Sequence, residues 1–115
     1  MSVNIVKAVS KSPRTNLAKP DIVFEKAAEI FAVMAAPLRL KILSCLCEDE
    51  HNVSELLAKI DTTQPNMSQH LNTLYRAGVV AKRRDGVQIY YRIADEKFVN
   101  ICRAVCGQVE EQIRG

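Results

Sequence analysis

One stretch constrains this chain more than any other: Thr62-Thr63-Gln64-Pro65-Asn66-Met67-Ser68-Gln69-His70-Leu71-Asn72-Thr73-Leu74. Met67, Leu71 and Leu74 recur at i, i+4 and i+7, which predicts a short helix with one apolar stripe. Gln64, Asn66, Gln69, His70 and Thr73 cover its other side, with no carboxylate among them. A solvated helix face ordinarily mixes Lys and Glu. A face of amides and hydroxyls suits base edges, where Asn and Gln pair bidentately with adenine and hydroxyls adapt to several acceptors. Pro65 falls in the first turn, where its missing N–H costs little, and Thr62 or Thr63 can cap. An ordinary amphipathic helix rich in amides would read the same way, so the neighbouring residues decide.

The chain has 115 residues, enough for a single domain with a modest core that dimerisation could complete. The net charge of +3 is a weak bias, but its distribution is uneven. Residues 1–20 carry Lys7, Lys11, Arg14 and Lys19 and no acid, and residues 82–92 carry Lys82, Arg83, Arg84 and Arg92 against Asp85 alone. Two local basic patches suit a polyanion. No stretch approaches a membrane span, and no apolar leader indicates secretion. Cys45, Cys47, Cys102 and Cys106 fall inside helical patterns, not in a disulfide framework. Free thiols in a reducing cytoplasm are the expectation.

Taken in order, residues 1–20 read as a basic arm ending at Pro20, and residues 21–115 as one domain. Asp21 caps a helix over about 21–35, whose apolar residues (Val23, Phe24, Phe31 and Met34 among them) spread over more than one side. Pro37 opens a second helix carrying Leu38, Ile42, Cys45 and Leu46. Residues 48–51 read as a charged turn, with His51 solvated. Asn52 with Glu55 is close to a capping box for a short third helix. The turn at 61–63 then leads into the opening stretch. Two short helices joined this way, the second with a polar face, form the helix-turn-helix pattern.

Gly78 closes that second helix. Residues 79–84 and 87–93 read as two strands around Asp85-Gly86, a type I′ turn signal. A basic hairpin after a helix-turn-helix is a wing, whose tip at Arg83, Arg84 and Gly86 reaches phosphates or a minor groove. Asp95 caps a last helix with a long stripe of Phe98, Ile101, Cys102, Val105, Val109 and Ile113. A second copy of the chain is the economical cover for that stripe.

These elements and the residues themselves resemble the ArsR/SmtB family of winged-helix repressors from about Ala27 to Val105. The specific pieces are Met34-Ala35-Ala36-Pro37-Leu38-Arg39-Leu40-Lys41-Ile42-Leu43, Ser54-Glu55-Leu56, Gln64-Pro65-Asn66-Met67-Ser68-Gln69-His70-Leu71, and Gly78-Val79-Val80 through Arg83-Arg84-Asp85-Gly86 to Tyr90-Tyr91-Arg92. The resemblance implies a mainly α winged helix-turn-helix homodimer of about five helices plus a two-stranded wing, with its first and last helices at the interface. It also implies repression released by a metal ion or by thiol chemistry. A Cys-x-Cys metal site at the start of the third helix is missing, since Asn52 and Ser54 stand there. A site on the last helix keeps Asp95, but Lys97, Gln108 and Glu111 replace other ligands, which does not suit zinc. Thiol-sensing members place one Cys on the second helix and one on the last. Here Ser44, beside Cys45, occupies the usual second-helix position.

Cys102 and Cys106 share a helical face at i, i+4 and could ligate one soft metal or metalloid ion, given a third ligand from elsewhere. A bridge between them is poorly favoured, with Cβ atoms about 5–6 Å apart in a regular helix against about 3.8 Å in a disulfide. Cys45 and Cys47 point apart, so at most one faces a given pocket. Two readings stay open: some of Cys45, Cys47, Cys102 and Cys106 sense an oxidant, reactive sulfur or a soft metal, or all four are core packing.

The sequence thus predicts a repressor reading palindromic double-stranded DNA, with Thr63, Gln64, Asn66, Ser68, Gln69 and His70 near bases and phosphates. An enzyme is not expected. There is no Gly-rich phosphate loop, no Ser/His/Asp arrangement, no plausible carboxylate pair, and no evident Cys–His pairing for a cysteine nucleophile. A winged helix that binds another protein through the same surface is the third class.

Overall fold

A computed structural model describes residues 18–115. The expected basic arm, residues 1–20, therefore lies outside the described residues except for its last three. Five helices and three strands follow: α1 (Asp21–Met34), α2 (Pro37–Leu46), β1 (His51–Asn52), α3 (Val53–Lys59), α4 (Gln64–Arg76), β2 (Val80–Asp85), β3 (Gln88–Ile93) and α5 (Glu96–Arg114). The described residues fall into two units, residues 18–31 and residues 32–115. The boundary between them falls inside α1. Ile22, Val23, Phe24 and Phe31 of α1 are exposed, and only Met34 of that helix is buried.

Within residues 32–115 the core forms where the periodic stripes meet. Ile42 and Leu43 of α2, Leu56 of α3, and Met67, Leu71 and Leu74 of α4 are essentially inaccessible. Val79, Val80, Phe98 and Val99 complete it. Each such side chain contributes about 1.5–3 kcal/mol of transfer free energy, so the α4 stripe is pinned inward and its polar side is forced outward.

The helix ends are set by local chemistry. Glu55 N donates to Asn52 Oδ1 at 2.8 Å and Asn52 N to Glu55 Oε1 at 2.9 Å, so the capping box at α3 is complete. Thr63 Oγ1 accepts from Asn66 N at the start of α4, and Asp95 Oδ1 from Lys97 N at the start of α5. Gly78, at φ +79°, lets α4 stop sharply: Val79 N donates to Leu74 O and Gly78 N to Tyr75 O, the paired bonds of a Schellman ending.

The sheet extends one expectation and corrects two. The two-stranded wing hairpin β2–β3 is present, and β1 adds a third antiparallel strand in the order β1-β3-β2, with His51 opposite Tyr91 and Asn52 opposite Tyr90. His51 is accordingly buried, not solvated. Its Nδ1–H donates to Asp49 O at 2.9 Å and its Nε2 accepts from Lys59 Nζ at 3.3 Å. The turn is type II′, not I′. Asp85 pairs with Gln88 around Gly86 and Val87, and only Gly86 has positive φ, +66°. Period-two patterning could not reveal β1, since two residues are too few to show alternation.

Candidate nucleic-acid interface and cysteine cleft

Burial of Met67, Leu71 and Leu74 leaves the far side of α4 free. Thr63, Gln64, Asn66, Ser68 and Gln69 are all exposed there, as expected, and His70 is half-buried. Two of these are partly engaged: Thr63 caps the helix, and Asn66 Nδ2 donates to Thr62 Oγ1 at 2.9 Å. Thr73 is turned inward on its own helix, its hydroxyl donating to Gln69 O at 3.1 Å. The crest opposite the core stripe is Gln69, Asn72 and Arg76, all exposed. Asn72 and Arg76 were missed as site residues, although their i+3 and i+7 spacing from Gln69 was legible.

His70 is held by Arg39 of α2. Arg39 Nη1 donates to His70 Nδ1 at 3.1 Å, Nε to Val33 O at 2.6 Å, and Nη2 reaches Ala32 O at 3.5 Å. Burial pushes the imidazole below its ordinary pKa, and the adjacent guanidinium adds to that. The neutral ring accepts at Nδ1 and therefore carries its proton on Nε2, where it can donate.

The wing splits its basic residues. Alternation along β2 separates Arg83 from Lys82 and Arg84. Arg83 is taken by Glu50: Nε donates to Oε1 at 2.9 Å and Nη2 to Oε2 at 2.8 Å, and the guanidinium stacks 4.7 Å from the Tyr90 ring centre. The hydrogen bond to Arg83 holds the Glu50 carboxyl below the usual range, and the same bond raises Arg83. Lys82 lies 4.3 Å over the Tyr75 ring. Arg84 is exposed, and none of the ion pairs among the described residues involves it. Val87, beside Gly86 at the tip, is 92% exposed.

The cysteines gather away from this surface. Cys47, Cys102 and Cys106 line a cleft of about 280 Å³ between α2 and α5, with Leu40, Leu43 and Ser44. Cys102 Sγ and Cys106 Sγ are 3.7 Å apart. Burial pushes the Cys102 thiol up to about 11, with Cys106 adding to the shift. Cys106 is exposed, and Cys47 Sγ donates to Ser44 O at 3.0 Å. Cys45 does not line the cleft; burial raises its pKa against the opposing pull of Lys59. Of Cys45 in α2 and Cys47 at its C-terminal cap, then, it is Cys47 that faces α5. Among the described residues no three His, Cys, Asp or Glu side chains converge as a metal-holding group. Asp95 is occupied as a helix cap and pairs with Lys97 at 3.2 Å.

This order of helices, with a polar reading helix and a basic hairpin, defines a winged helix-turn-helix transcriptional regulator. The family pattern described as bacterial regulatory protein, arsR family, matches residues 36–82. A biofilm growth-associated repressor of Agrobacterium fabrum is 39% identical over 80 residues, covering 70% of this chain and 68% of that protein. The crystal structure of the transcriptional repressor BigR from Xylella fastidiosa is similar at a TM-score of 0.70 and 32% identity, covering 74% of this chain and 87% of that one. A homodimeric winged helix-turn-helix DNA-binding domain from Mycobacterium bovis, solved by NMR, gives a TM-score of 0.68 at 26% identity, covering 83% and 88%. The chain belongs to the ArsR/SmtB family of transcriptional repressors. Family and fold are those of DNA-binding regulators and not of enzymes. No helix among the described residues is long and apolar enough to cross a membrane.

Proposed function

We propose that this chain is a homodimeric repressor that binds a palindromic double-stranded DNA operator and leaves it when its thiols react. The carboxylate-free exposed side of α4 carries the DNA reading. Gln69, Asn72 and Arg76 on the crest approach base edges, Gln64 and Ser68 beside them meet bases or nearby phosphates, and Arg84 approaches phosphates. Dimerisation is supported by exposed apolar side chains on α1 (Phe24, Phe31) and on α5 (Val105, Val109, Ile113). A similar fold is described as homodimeric. Two α4 helices related by a two-fold axis would read half-sites about one helical turn apart.

The effector reading rests on the cleft, which Cys47 lines together with Cys102 and Cys106, the last two with Sγ atoms 3.7 Å apart. An oxidant of the peroxide class would take two electrons and two protons from a pair of these thiols, forming one disulfide and releasing water and an alcohol. A dithiol fits better than a metal cage, given the absence of a third convergent ligand among the described residues. A disulfide within the cleft would shift α5 and with it the packing of the two subunits. Release then requires a coupling of about 1–3 kcal/mol against the DNA-bound geometry. Such thiols stay reduced in the cytoplasm between signals.

Gel shift on the gene's own promoter at two salt concentrations tests the DNA reading, and salt-dependent retention is expected. Adding peroxide or polysulfide should release the DNA from the native chain. A chain with all four cysteines changed to Ser should stay bound. Equal release from both would mean the thiols are packing.

A further inference from the structure

Arg39 stands in none of the ion pairs among the described residues. Its side chain is half-buried and lies against α4, the reading helix. The guanidinium has five N–H groups. One goes to Val33 O, one to His70 Nδ1, and one makes only a long, exposed contact at 3.5 Å with Ala32 O. Two N–H groups and the whole positive charge are left without an anionic partner. The carbonyls it touches, Val33 O and Ala32 O, belong to the last turn of α1 and hold the guanidinium in place without neutralising it.

His70 completes the arrangement. Its Nδ1 is occupied as an acceptor, so its proton is on Nε2. His70 lies one turn beyond Asn66, on the flank of α4 and not on its crest of Gln69, Asn72 and Arg76. Base edges lie under the crest of a helix set in the major groove, whereas sugar-phosphate walls lie against its flanks.

We propose that Arg39 and His70 form a phosphate clamp beside the reading helix, in which Arg39 supplies the charge and the imidazole Nε2–H the directed donor. The clamp rests on the DNA-binding reading above and adds to it a residue of α2, outside the helix-turn-helix itself. Arg39 also acts as a positioning residue, because its bond to Nδ1 orients the ring. A backbone contact of this kind fixes the register of α4 in the groove while reading no base.

The test is a salt titration of operator binding by fluorescence anisotropy, run on the operator duplex and on a scrambled duplex. Arg39→Gln should reduce the slope of log affinity against log salt by about one, and weaken both duplexes by about tenfold. Arg39→Lys keeps the charge and should retain the slope. His70→Gln, whose amide reaches the Nε2 position, should bind nearly as the native chain does, and His70→Asn, whose amide reaches only Nδ1, should not. In ¹⁵N NMR of the free native chain the His70 ring should be the Nε2–H form. An unchanged slope in Arg39→Gln, or an Nδ1–H ring, would overturn the clamp. So would a His70→Asn effect confined to the operator, since that marks base reading. If Arg39→Gln fails to fold, the His70 pair and the ring tautomer decide. Absence of any salt-dependent binding by the native chain would instead sink the DNA-binding reading itself.

Discussion

Arg83 and Glu50 form a two-point pair, Nε to Oε1 at 2.9 Å and Nη2 to Oε2 at 2.8 Å, that ties wing strand β2 to the turn ahead of β1. The pair is partly exposed, and an exposed ion pair alone stabilises little. Its effect is geometric: the wing is fixed to the same loop that starts the helix-turn-helix. Glu50→Gln should therefore loosen the wing. The sign of its pH dependence follows from the depressed Glu50 pKa. A carboxylate lowered in the folded state contributes stability above its unfolded pKa, near 4.5, and loses it as pH falls through the folded value. Thermal unfolding of the native chain and Glu50→Gln should differ at neutral pH and converge in acid. A gap that is constant with pH would show that the pair does not act through the charge.

The same pair alters what each wing arginine does. Arg84→Ala should weaken binding to every duplex alike, because Arg84 has no ion-pair partner among the described residues and stands exposed. Arg83→Ala should loosen the wing first, giving a lower melting temperature as well as weaker binding. Gln69→Ala should leave stability within about 0.5 kcal/mol and relax sequence preference at one position of each half-site. Competition with single-position operator variants separates these outcomes. A Gln69→Ala chain that discriminates as well as the native one would remove Gln69 from the reading set.

At the wing tip, Gly86→Ala isolates a backbone effect. A Cβ at Gly86 would meet nothing within 4 Å, so no clash arises. The cost is that of holding φ at +66° with a side chain, about 1–2 kcal/mol. Gly86→Asn should cost less, since Asn tolerates this region. Chemical denaturation should rank the three chains Gly, Asn, Ala in falling stability. Equal losses for Asn and Ala would point to a contact at the tip instead.

Much of this was legible because single residues carried single physical meanings. Met67, Leu71 and Leu74 gave the inner side of α4. Asn52 with Glu55, Thr63 with Pro65, and Gly78 gave helix ends, each through local bonds that need no knowledge of the rest of the fold. What was not legible depended on distant partners. Nothing local to Arg83 indicates that Glu50, 33 residues away, will take it, and nothing local to His70 indicates Arg39, 31 residues away. The hydrogen-bonding burial of His51 required β3 to arrive beside it. On the cysteines, spacing alone allowed either of Cys45 and Cys47 to face α5; the roll of α2 about Ile42 and Leu43 selects Cys47.

The thiols give the sharpest contrast in reactivity. Only the thiolate attacks, and Cys102, pushed up to about 11, is about one part in ten thousand ionised at pH 7. Cys106 is exposed beside it. Iodoacetamide at neutral pH should therefore label Cys106 well before Cys102, as read by intact mass and peptide mapping. Raising the pH should speed Cys102 about tenfold per unit until its pKa is reached. The stability consequence has a definite sign. The folded pKa lies above the unfolded value near 9, so the folded state holds this proton longer. That contribution is fully present below about 9 and is lost as pH rises to about 11. A Cys102→Val chain should lack this alkaline loss of stability while keeping the buried apolar contact. If native Cys102 labels as fast as Cys106 at pH 7, the cleft is open enough in solution for Cys102 to be attacked directly.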